Sequence, residues 1–425
     1  MSRYDCVILG AGMAGLVAAY RLSKRGKKVL LVEKTNELGG LLMSTKTRGD
    51  PIEKYYHHVF VNNPSFINLA EEIGIENIIW TGSTLGFYTK GKIHDLSTPF
   101  SFIGFKILTV PEKIRLGLVM AKIKFIRNPK KLDDMTAKEW ILNNAGKGVY
   151  EKFFSPMLKS KYDKNADKVS ATWFIERIRI RTTGGFKKES LGYIDGGFHI
   201  FIDKIEQEIL ENGGDIVKGK GINKFIIRNG VMKGVVLDGK EINANNVIST
   251  IPLPTLAEYK DLSVEFRKKI SDINYQGALC IIVGLDRKVT DFYWINIIDE
   301  SLIGAIIEHT NFQSIEKYKD HILYLASYPD FRSHLWKLSD KGIFEEYFKE
   351  LRRLFPYIKR QNLKWWKVSK SKKAGIIYET NYQKKVIGHE TPVKGFYIGG
   401  MFNGYPERSI ENSVIAGEEL AKLCD

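Results

Sequence analysis

The stretch YDCVILGAGMAGLVAAYRLSKRGKKVLLVEK, residues 4–34, determines how the rest of the chain is organised. It begins with an apolar run at 6–9, which a glycine-rich turn at 10–15 interrupts. Good helix formers with helical spacing follow, and a second apolar run ends at Glu33. This order predicts a strand, a glycine turn, a helix and a second strand, the opening unit of an α/β sheet.

The turn has the spacing G-x-G-x-x-G, and glycine is required at each of the three positions for a separate physical reason. Gly10 allows the tight turn, Gly12 lets the backbone approach a pyrophosphate, and Gly15 lets the helix pack closely on the strands. The unpaired N–H groups and the positive dipole end of the new helix favour the phosphates. Glu33 is placed to accept hydrogen bonds from ribose hydroxyls. We therefore predict a dinucleotide site that disfavours a 2′-phosphate.

Composition and charge narrow the class of protein. The 425 residues suit two domains, and 44% hydrophobic with 27% charged residues is ordinary for a globular protein. The net charge of +16 suits anionic partners, although a lysine-rich proteome would also produce it. Three cysteines without paired spacing predict neither a disulfide framework nor a metal site. We expect a cytoplasmic protein without a signal peptide, a spanning helix or a nucleic-acid partner.

A second glycine pair, Gly39 and Gly40, follows Glu33 by six residues. An acid followed by a glycine pair resembles the flavin-binding start of the family that contains amine oxidases, phytoene desaturases, protoporphyrinogen oxidases and UDP-galactopyranose mutases. In that family the pair crosses the dinucleotide and is usually followed by arginine, where this chain has Leu41. The resemblance implies that the dinucleotide is FAD.

Two later segments resemble the same family, so that the likeness covers essentially the whole chain. In the middle segment, the resemblance places Ile222 against the adenine and the strand end at Thr250 beside the cofactor. Residues 395–420 resemble the closing signature, in which the amides at the start of the last helix meet the flavin. Met401 stands where relatives often have an acid for the ribityl chain. The implied cofactor-binding residues are Gly10, Ala11, Gly12, Met13, Ala14, Gly15, Glu33, Lys34, Gly39, Gly40, Leu41, Leu42, Ile222, Thr250, Gly400, Met401, Ser409 and Ile410.

These segments predict an α/β fold with a Rossmann-like, discontinuous FAD-binding domain and an inserted sheet-and-helix substrate domain. Strand-like runs at 278–284 and 321–326 and a helical pattern at 344–354 fit the inserted domain. We expect the FAD-binding domain at residues 1–50, 192–255 and 390–425, and the substrate domain at 51–191 and 256–389.

The segment 51–62 is dense in polar aromatic residues, and the family places it against the flavin ring. Tyr56, His57 and His58 are accordingly the candidate catalytic residues. Adjacent side chains on a strand point in opposite directions, so at most one histidine is expected to face the ring. The alternative is that one histidine is buried in the core, where its hydrogen bonds are satisfied by the protein. Trp365 and Trp366 are expected either beside the flavin or in the core.

Two basic segments have more than one interpretation. In the region 99–127, one apolar helical stripe lies between lysines and arginines, as in helices that lie on a membrane surface, while a second stripe would hold the helix to the protein. The alternative is a helix buried between two protein layers. Arg177, Arg179 and Arg181 alternate with isoleucines, so a strand would align them toward an anion, whereas a helix would scatter them. The alternative is that these arginines form a solvated surface face.

We predict an FAD-dependent oxidoreductase of the amine oxidase and desaturase type that acts on a small-molecule substrate, apolar or lipid-linked. The flavin takes the hydride, and the protein orients the substrate and excludes water. Because a second G-x-G-x-x-G unit is missing from the sequence, oxygen, a quinone or a partner protein would reoxidise the flavin. The alternatives are an isomerase of the UDP-galactopyranose mutase type and a non-catalytic flavoprotein that binds a partner or a membrane.

Overall fold

The computed structural model describes residues 3–98, 100–181 and 188–424. Position 99, where the basic apolar region begins, and positions 182–187, which follow the arginine series, lie outside the described residues.

The described strands and helices alternate along the chain as expected for an α/β protein. The strands are β1 Tyr4–Leu9, β2 Val29–Val32, β3 Ser44–Thr45, β4 Ile52–Glu53, β5 Val59–Phe60, β6 Ile78–Gly82, β7 Leu85–Thr89, β8 Lys92–Asp95, β9 Ser190–Ile194, β10 Asp215–Val217, β11 Ile222–Arg228, β12 Val231–Leu237, β13 Lys240–Ser249, β14 Tyr275–Leu285, β15 Trp294–Ile297, β16 Ala305–Glu308, β17 His321–Ser327, β18 Leu363–Ile376 and β19 Phe396–Ile398. The helices are α1 Met13–Lys24, α2 Pro64–Glu72, α3 Val110–Phe125, α4 Ala137–Ala145, α5 Lys147–Val149, α6 Ser155–Tyr162, α7 Ala171–Arg181, α8 Phe198–Glu211, α9 Leu253–Leu256, α10 Val264–Ser271, α11 Ile315–Tyr318, α12 Asp340–Leu354 and α13 Ile410–Lys422.

The first sheet has seven strands in the order β10-β2-β1-β13-β12-β11, with β19 also paired to β13. Strands β10, β2, β1, β13 and β19 run parallel, whereas β11 and β12 extend the sheet as an antiparallel hairpin. All of β2 and residues 6–9 of β1 are buried, as their continuous apolar runs require for strands covered on both faces. Chain segments distant in sequence thus form one continuous sheet.

Helices α1, α8 and α13 pack together against the first sheet. The contact between α1 and α13 is close because Gly417 has no side chain: a Cβ there would lie 2.6 Å from the Ala14 carbonyl oxygen. The C-terminal helix is therefore held directly against the helix that begins at the glycine turn.

The second sheet has seven strands in the order β18-β14-β17-β16-β15-β7-β8. The predicted strands at 278–284 and 321–326 are β14 and β17, and the predicted helix at 344–354 forms most of α12. Trp366 stacks on Phe344 of α12, with ring centroids 4.5 Å apart and planes within 8°. One face of this sheet is therefore closed by α12, and Ala278 and Cys280 belong to the surface that borders the cavity described below.

Helices α3 to α7 form a helical region beside the second sheet. The strand interpretation of the arginine series is wrong, because these residues lie on α7. At 3.6 residues per turn, Arg177 and Arg181 share one helix face, and Arg179 points elsewhere and pairs with Glu176 at 2.8 Å. The helix therefore aligns two of the arginines rather than scattering all three.

The structure excludes one of the two interpretations of the basic helix α3, namely that it is buried between two protein layers. Leu116, Val119 and Ile123 are buried, as expected for the stripe that holds the helix to the protein. Ile114 is 60% exposed and Leu118 66% exposed, so the helix is not buried between two protein layers. No helix in the described ranges is both long and apolar enough to cross a bilayer.

The chain has the predicted fold class, with a Rossmann-like sheet and a second sheet joined to a helical region. The domain boundaries given above stay a prediction.

Candidate active site

One continuous cavity of about 1940 Å³ joins the first sheet, the second sheet and the helical region. Its wall includes Gly12 at the start of α1, Cys280 of β14 and Ile114 of α3. Pockets for a single drug-sized ligand usually measure roughly 300–1,000 Å³. The cavity therefore has room for a dinucleotide and a second molecule.

The glycine turn presents bare backbone to the cavity at one position and packs tightly at another. A Cβ on Gly12 would have no atom within 4 Å, so the space beside this residue is open. A Cβ on Gly15 would lie 1.9 Å from the Gly10 carbonyl oxygen, a distance that no side chain tolerates. Gly10 itself has φ +96°, a conformation that favours glycine. The turn therefore forms a cradle whose floor is the backbone at Gly12.

Glu33 is hydrogen-bonded to the backbone beside this cradle. Its Oε2 accepts a hydrogen bond from the Ala11 N–H at 2.8 Å, and its Oε1 accepts from the Thr35 N–H at 2.9 Å. These bonds fix the carboxylate at the cavity wall and leave lone pairs for further donors. An acid in this place suits the hydroxyls of a ribose and repels a 2′-phosphate.

Most of the predicted cofactor-binding residues border this one cavity, although their roles stay predictions. The residues in the wall are Gly10, Gly12, Met13, Ala14, Glu33, Lys34, Gly39, Gly40, Leu41, Leu42, Thr250, Gly400, Met401, Ser409 and Ile410. Ala11, Gly15 and Ile222 lie outside the wall that the described residues form. Ala11 donates to Glu33, Gly15 is packed against the turn, and the Ile222 side chain is buried within the sheet.

All three candidate catalytic residues also border the cavity. His57 and His58 precede β5 rather than lying on it, so strand alternation does not separate them, and both rings line the wall. Burial lowers the pKa of His57 to about 4. The pKa of His58 also lies well below its usual range, because of burial and then because of the positive charges of Arg181 and Arg177. Both imidazoles are therefore neutral at pH 7.

The hydrogen bonds of this segment set the orientation of its side chains. The Nδ1–H of His57 donates to the Tyr55 carbonyl at 2.7 Å, which leaves Nε2 as the acceptor atom of the ring. The hydroxyls of Tyr56 and Tyr328 lie 2.5 Å apart. Burial, and then the Tyr328 hydroxyl, raise the pKa of Tyr56 well above its usual range, so this phenol stays protonated.

A cluster of charged side chains, which we call the cationic cluster, forms another part of the wall. It consists of Lys161, Arg177, Arg181 and Arg408, accompanied by the carboxylates Glu189 and Glu407. Arg177 pairs with Glu407 at 2.9 Å, and the Arg181 guanidinium lies 5.3 Å from the centre of the Trp294 ring. Burial, and then the charge of Arg177, lower the pKa of Lys161 well below its usual range.

The cationic cluster has more positive than negative groups, and its side chains are partly buried at the cavity wall. The pKa of Glu189 is raised by burial against the opposing effect of Arg181 and Arg177. Within the described residues, the Nε of Arg181 is buried without a hydrogen-bond partner. Such an arrangement favours an anion, which would supply the missing negative charge and acceptors.

Sequence reasoning found part of this cluster and missed the rest. The arginine series drew attention to Arg177 and Arg181. Glu407 and Arg408 lie in the closing signature, which assigned them no role, and Lys161 and Glu189 carried no pattern that pointed to them. The two tryptophans of β18 lie outside the cavity wall of the described residues: Trp366 stacks in the core, and the indole N–H of Trp365 donates to Asp320 at 2.8 Å.

The fold and the site define a flavoprotein with a nucleotide cradle joined to a substrate cavity. The family model described as "Flavin containing amine oxidoreductase" matches residues 13–424. The chain therefore belongs to this family and is a flavin-dependent oxidoreductase whose cofactor is FAD.

Individual relatives are distant but extend over the whole chain. The 15-cis-phytoene desaturase of Arabidopsis thaliana is 24% identical, over 97% of this chain and 78% of its own length. The structure of an oxidoreductase from Methanosarcina mazei superposes with a TM-score of 0.75 at 19% identity, covering 98% of this chain and 99% of that one. The structure of a reduced UDP-galactopyranose mutase superposes with a TM-score of 0.77 at 16% identity, covering 99% and 94%. At this identity, the structures show a shared fold.

The residues present fit FAD. The open space beside Gly12 admits a pyrophosphate, and Gly12 as N-cap leaves the first N–H groups of α1 directed toward it. The Glu33 carboxylate would accept hydrogen bonds from the ribose hydroxyls. Ser409 and Ile410 border the same cavity, so α13 begins there. When bound, FAD supplies the acceptor for a hydride.

Proposed function

We propose that the chain oxidises an elongated amphiphilic substrate, with an apolar body and an anionic group. The observation that carries this proposal is the continuity of the cavity, which joins the glycine cradle and the cationic cluster to an apolar corridor. The corridor, defined as the cavity wall between the cluster and α3, is lined by Phe87, Phe102, Met120, Phe153, Met157 and Phe174. The similarity to 15-cis-phytoene desaturases supports a desaturation as the type of oxidation.

The chain's own residues would bind, orient and shield such a substrate. The Arg177 and Arg181 guanidiniums would hold the anionic group, and the corridor would take the apolar body and exclude water from it. Phe87 and Phe153 stack with centroids 5.2 Å apart and thereby give part of the corridor a fixed shape. The neutral Nε2 of His57 would accept the proton that the substrate loses along with its hydride.

A binding experiment tests the substrate class. Holoenzyme is titrated with a long-chain alkyl phosphate and with the matching alkyl alcohol, and binding is followed by the change in flavin absorbance. We expect the phosphate to bind at least tenfold more tightly, because a hydrogen bond to a charged group contributes about 1.5–3 kcal/mol. Arg181→Gln should remove this preference.

The matched control is Arg179→Gln, on the same helix but directed away from the cluster, which should keep the preference. Equal binding of phosphate and alcohol by the unaltered protein would contradict an anionic group. Failure of both compounds to bind would contradict the amphiphilic substrate altogether.

The cationic cluster taken alone would also suit the second candidate, the mutase-type isomerase, because a sugar diphosphate is anionic too, but the family match favours the oxidoreductase. The two candidates differ in the fate of electrons. Addition of an oxidisable substrate without oxygen should bleach the flavin absorbance, whereas an isomerase requires flavin reduced beforehand and returns it reduced. Turnover that occurs only after prior reduction would favour the isomerase.

A further inference from the structure

The surface around α3 combines exposed apolar side chains with positive charge. Ile103 is 71% exposed, Val110 69%, Ile114 60%, Leu118 66% and Phe125 83%. A water-facing helix rarely shows so many large apolar side chains together, and such patches mark interaction sites. We call these five residues the apolar rim.

The faces of α3 are arranged in a definite order. Successive residues lie about 100° apart around a helix, so the exposed stripe of Ile114, Leu118 and Phe125 lies opposite the buried stripe of Leu116 and Ile123. The basic side chains are on the two flanks between these stripes: Lys113 and Lys124 on one side, and Arg115 and Lys122 on the other. Long basic side chains in this position can reach a headgroup layer while the apolar face enters the acyl region.

The stretch of chain that contains most of the rim carries mainly positive charge. Between residues 100 and 132 the chain has eight basic residues and one acid, Glu112. Glu112 is neutralised by Lys152, which lies 2.8 Å from its Oε1. The basic residues are Lys106, Lys113, Arg115, Lys122, Lys124, Arg127, Lys130 and Lys131. This excess complements an anionic surface.

The apolar rim is also the edge of the cavity. Ile103, Val110, Ile114 and Phe125 belong to the cavity wall, whereas Leu118 does not. The corridor therefore ends at the surface that is both apolar and basic. A bilayer in contact with this surface would lie directly against the cavity mouth.

We infer that the α3 surface docks on an anionic phospholipid bilayer, with the apolar rim in the interface and the basic flanks on the headgroups. The occupant is lipid because the charge complementarity continues on both flanks of one apolar stripe. This inference does not depend on the proposed substrate, since docking requires no turnover.

Co-sedimentation with vesicles tests the docking. Folded holoenzyme is mixed at low salt with vesicles of phosphatidylserine and phosphatidylcholine, and in parallel with vesicles of phosphatidylcholine alone. We expect binding to the anionic vesicles, weakened by salt and by omission of phosphatidylserine. Each Lys or Arg neutralised on the two flanks of α3 should weaken binding about fivefold, which corresponds to about 1 kcal/mol.

Matched variants separate the rim from the rest of the surface. Leu118→Glu should weaken vesicle binding at least tenfold, whereas Val264→Glu, the same change of charge at a 73% exposed valine on α10 outside the apolar rim, should leave binding nearly unchanged. Arg115→Gln with Lys122→Gln should weaken binding, and Lys268→Gln with Lys269→Gln on α10 serves as its control. Flavin content and thermal unfolding of each variant show that the fold is intact.

Two kinds of result would overturn the inference. One is absence of binding to anionic vesicles by the intact protein, or binding that Leu118→Glu leaves unchanged. The other is a protein that self-associates in analytical ultracentrifugation, becomes a monomer with Leu118→Glu, and does not bind vesicles. A second copy of the chain would then cover the rim.

Discussion

Helices α1 and α3 border the same cavity, and their apolar residues serve different purposes. In α1, residues 13–20 are all buried, because the first sheet lies on one side and α8 and α13 on the other. In α3, the buried side chains are Leu116, Val119 and Ile123, and this helix packs against α4, α5 and α7 on one side. The comparison shows that an apolar pattern predicts a helix in both places, whereas the neighbours decide whether its faces form core or surface.

Among substitutions that test this comparison, the largest effect is expected from those in the glycine turn before α1. Gly15→Val should prevent folding or cost more than about 3 kcal/mol of stability, because its Cβ alone would lie 1.9 Å from the Gly10 carbonyl. Gly12→Val should fold, since its Cβ meets nothing within 4 Å, but should purify without flavin absorbance. Circular dichroism and the flavin spectrum measure the two effects. Stoichiometric FAD in a folded Gly12→Val protein would refute the cradle.

A smaller effect is expected from the two faces of α3. Ile123→Ala should lower the free energy of unfolding by about 2–5 kcal/mol, because it removes a fully buried side chain. Ile114→Ala, the same change on the 60% exposed face, should alter it by less than about 0.5 kcal/mol. Denaturant titrations of the holoenzyme give both values. Similar losses from the two variants would mean that the apolar rim is covered by protein.

The smallest effect concerns His57, which borders the same cavity as both helices. The pKa of His57 is about 4 in the folded protein, against about 6.5 in an unfolded chain. The unfolded chain therefore takes up a proton first, so stability is complete above pH 6.5 and falls as the pH drops toward 4. At pH 5 the loss should be up to about 1 kcal/mol, because partial solvent contact reduces the effect.

The measurement is thermal unfolding between pH 7.5 and 4.5. His57→Gln should show a shallower decline than the unaltered protein. An equal decline in both would mean that the ring at position 57 is solvated in the folded state.

The sequence alone predicted the features that depend on neighbouring residues. The β1–turn–α1–β2 unit follows from apolar runs and glycine spacing, and the FAD cofactor followed from the resemblance of three segments. The two stripes of α3 could also be identified, because helical periodicity alone sets which residues share a face. The strand alternative for Arg177 to Arg181, which helix α7 excludes, had the same origin, since alternation over five residues fits a strand although the preceding residues form a helix.

Only the tertiary structure decided which side chains meet. Arg177 is paired with Glu407, 230 residues away, and no local pattern reports such a contact. His57 and His58 both border the cavity because they lie in a loop before β5. Periodicity is a property of a few successive residues, whereas the position of a side chain relative to a cavity depends on how distant segments pack.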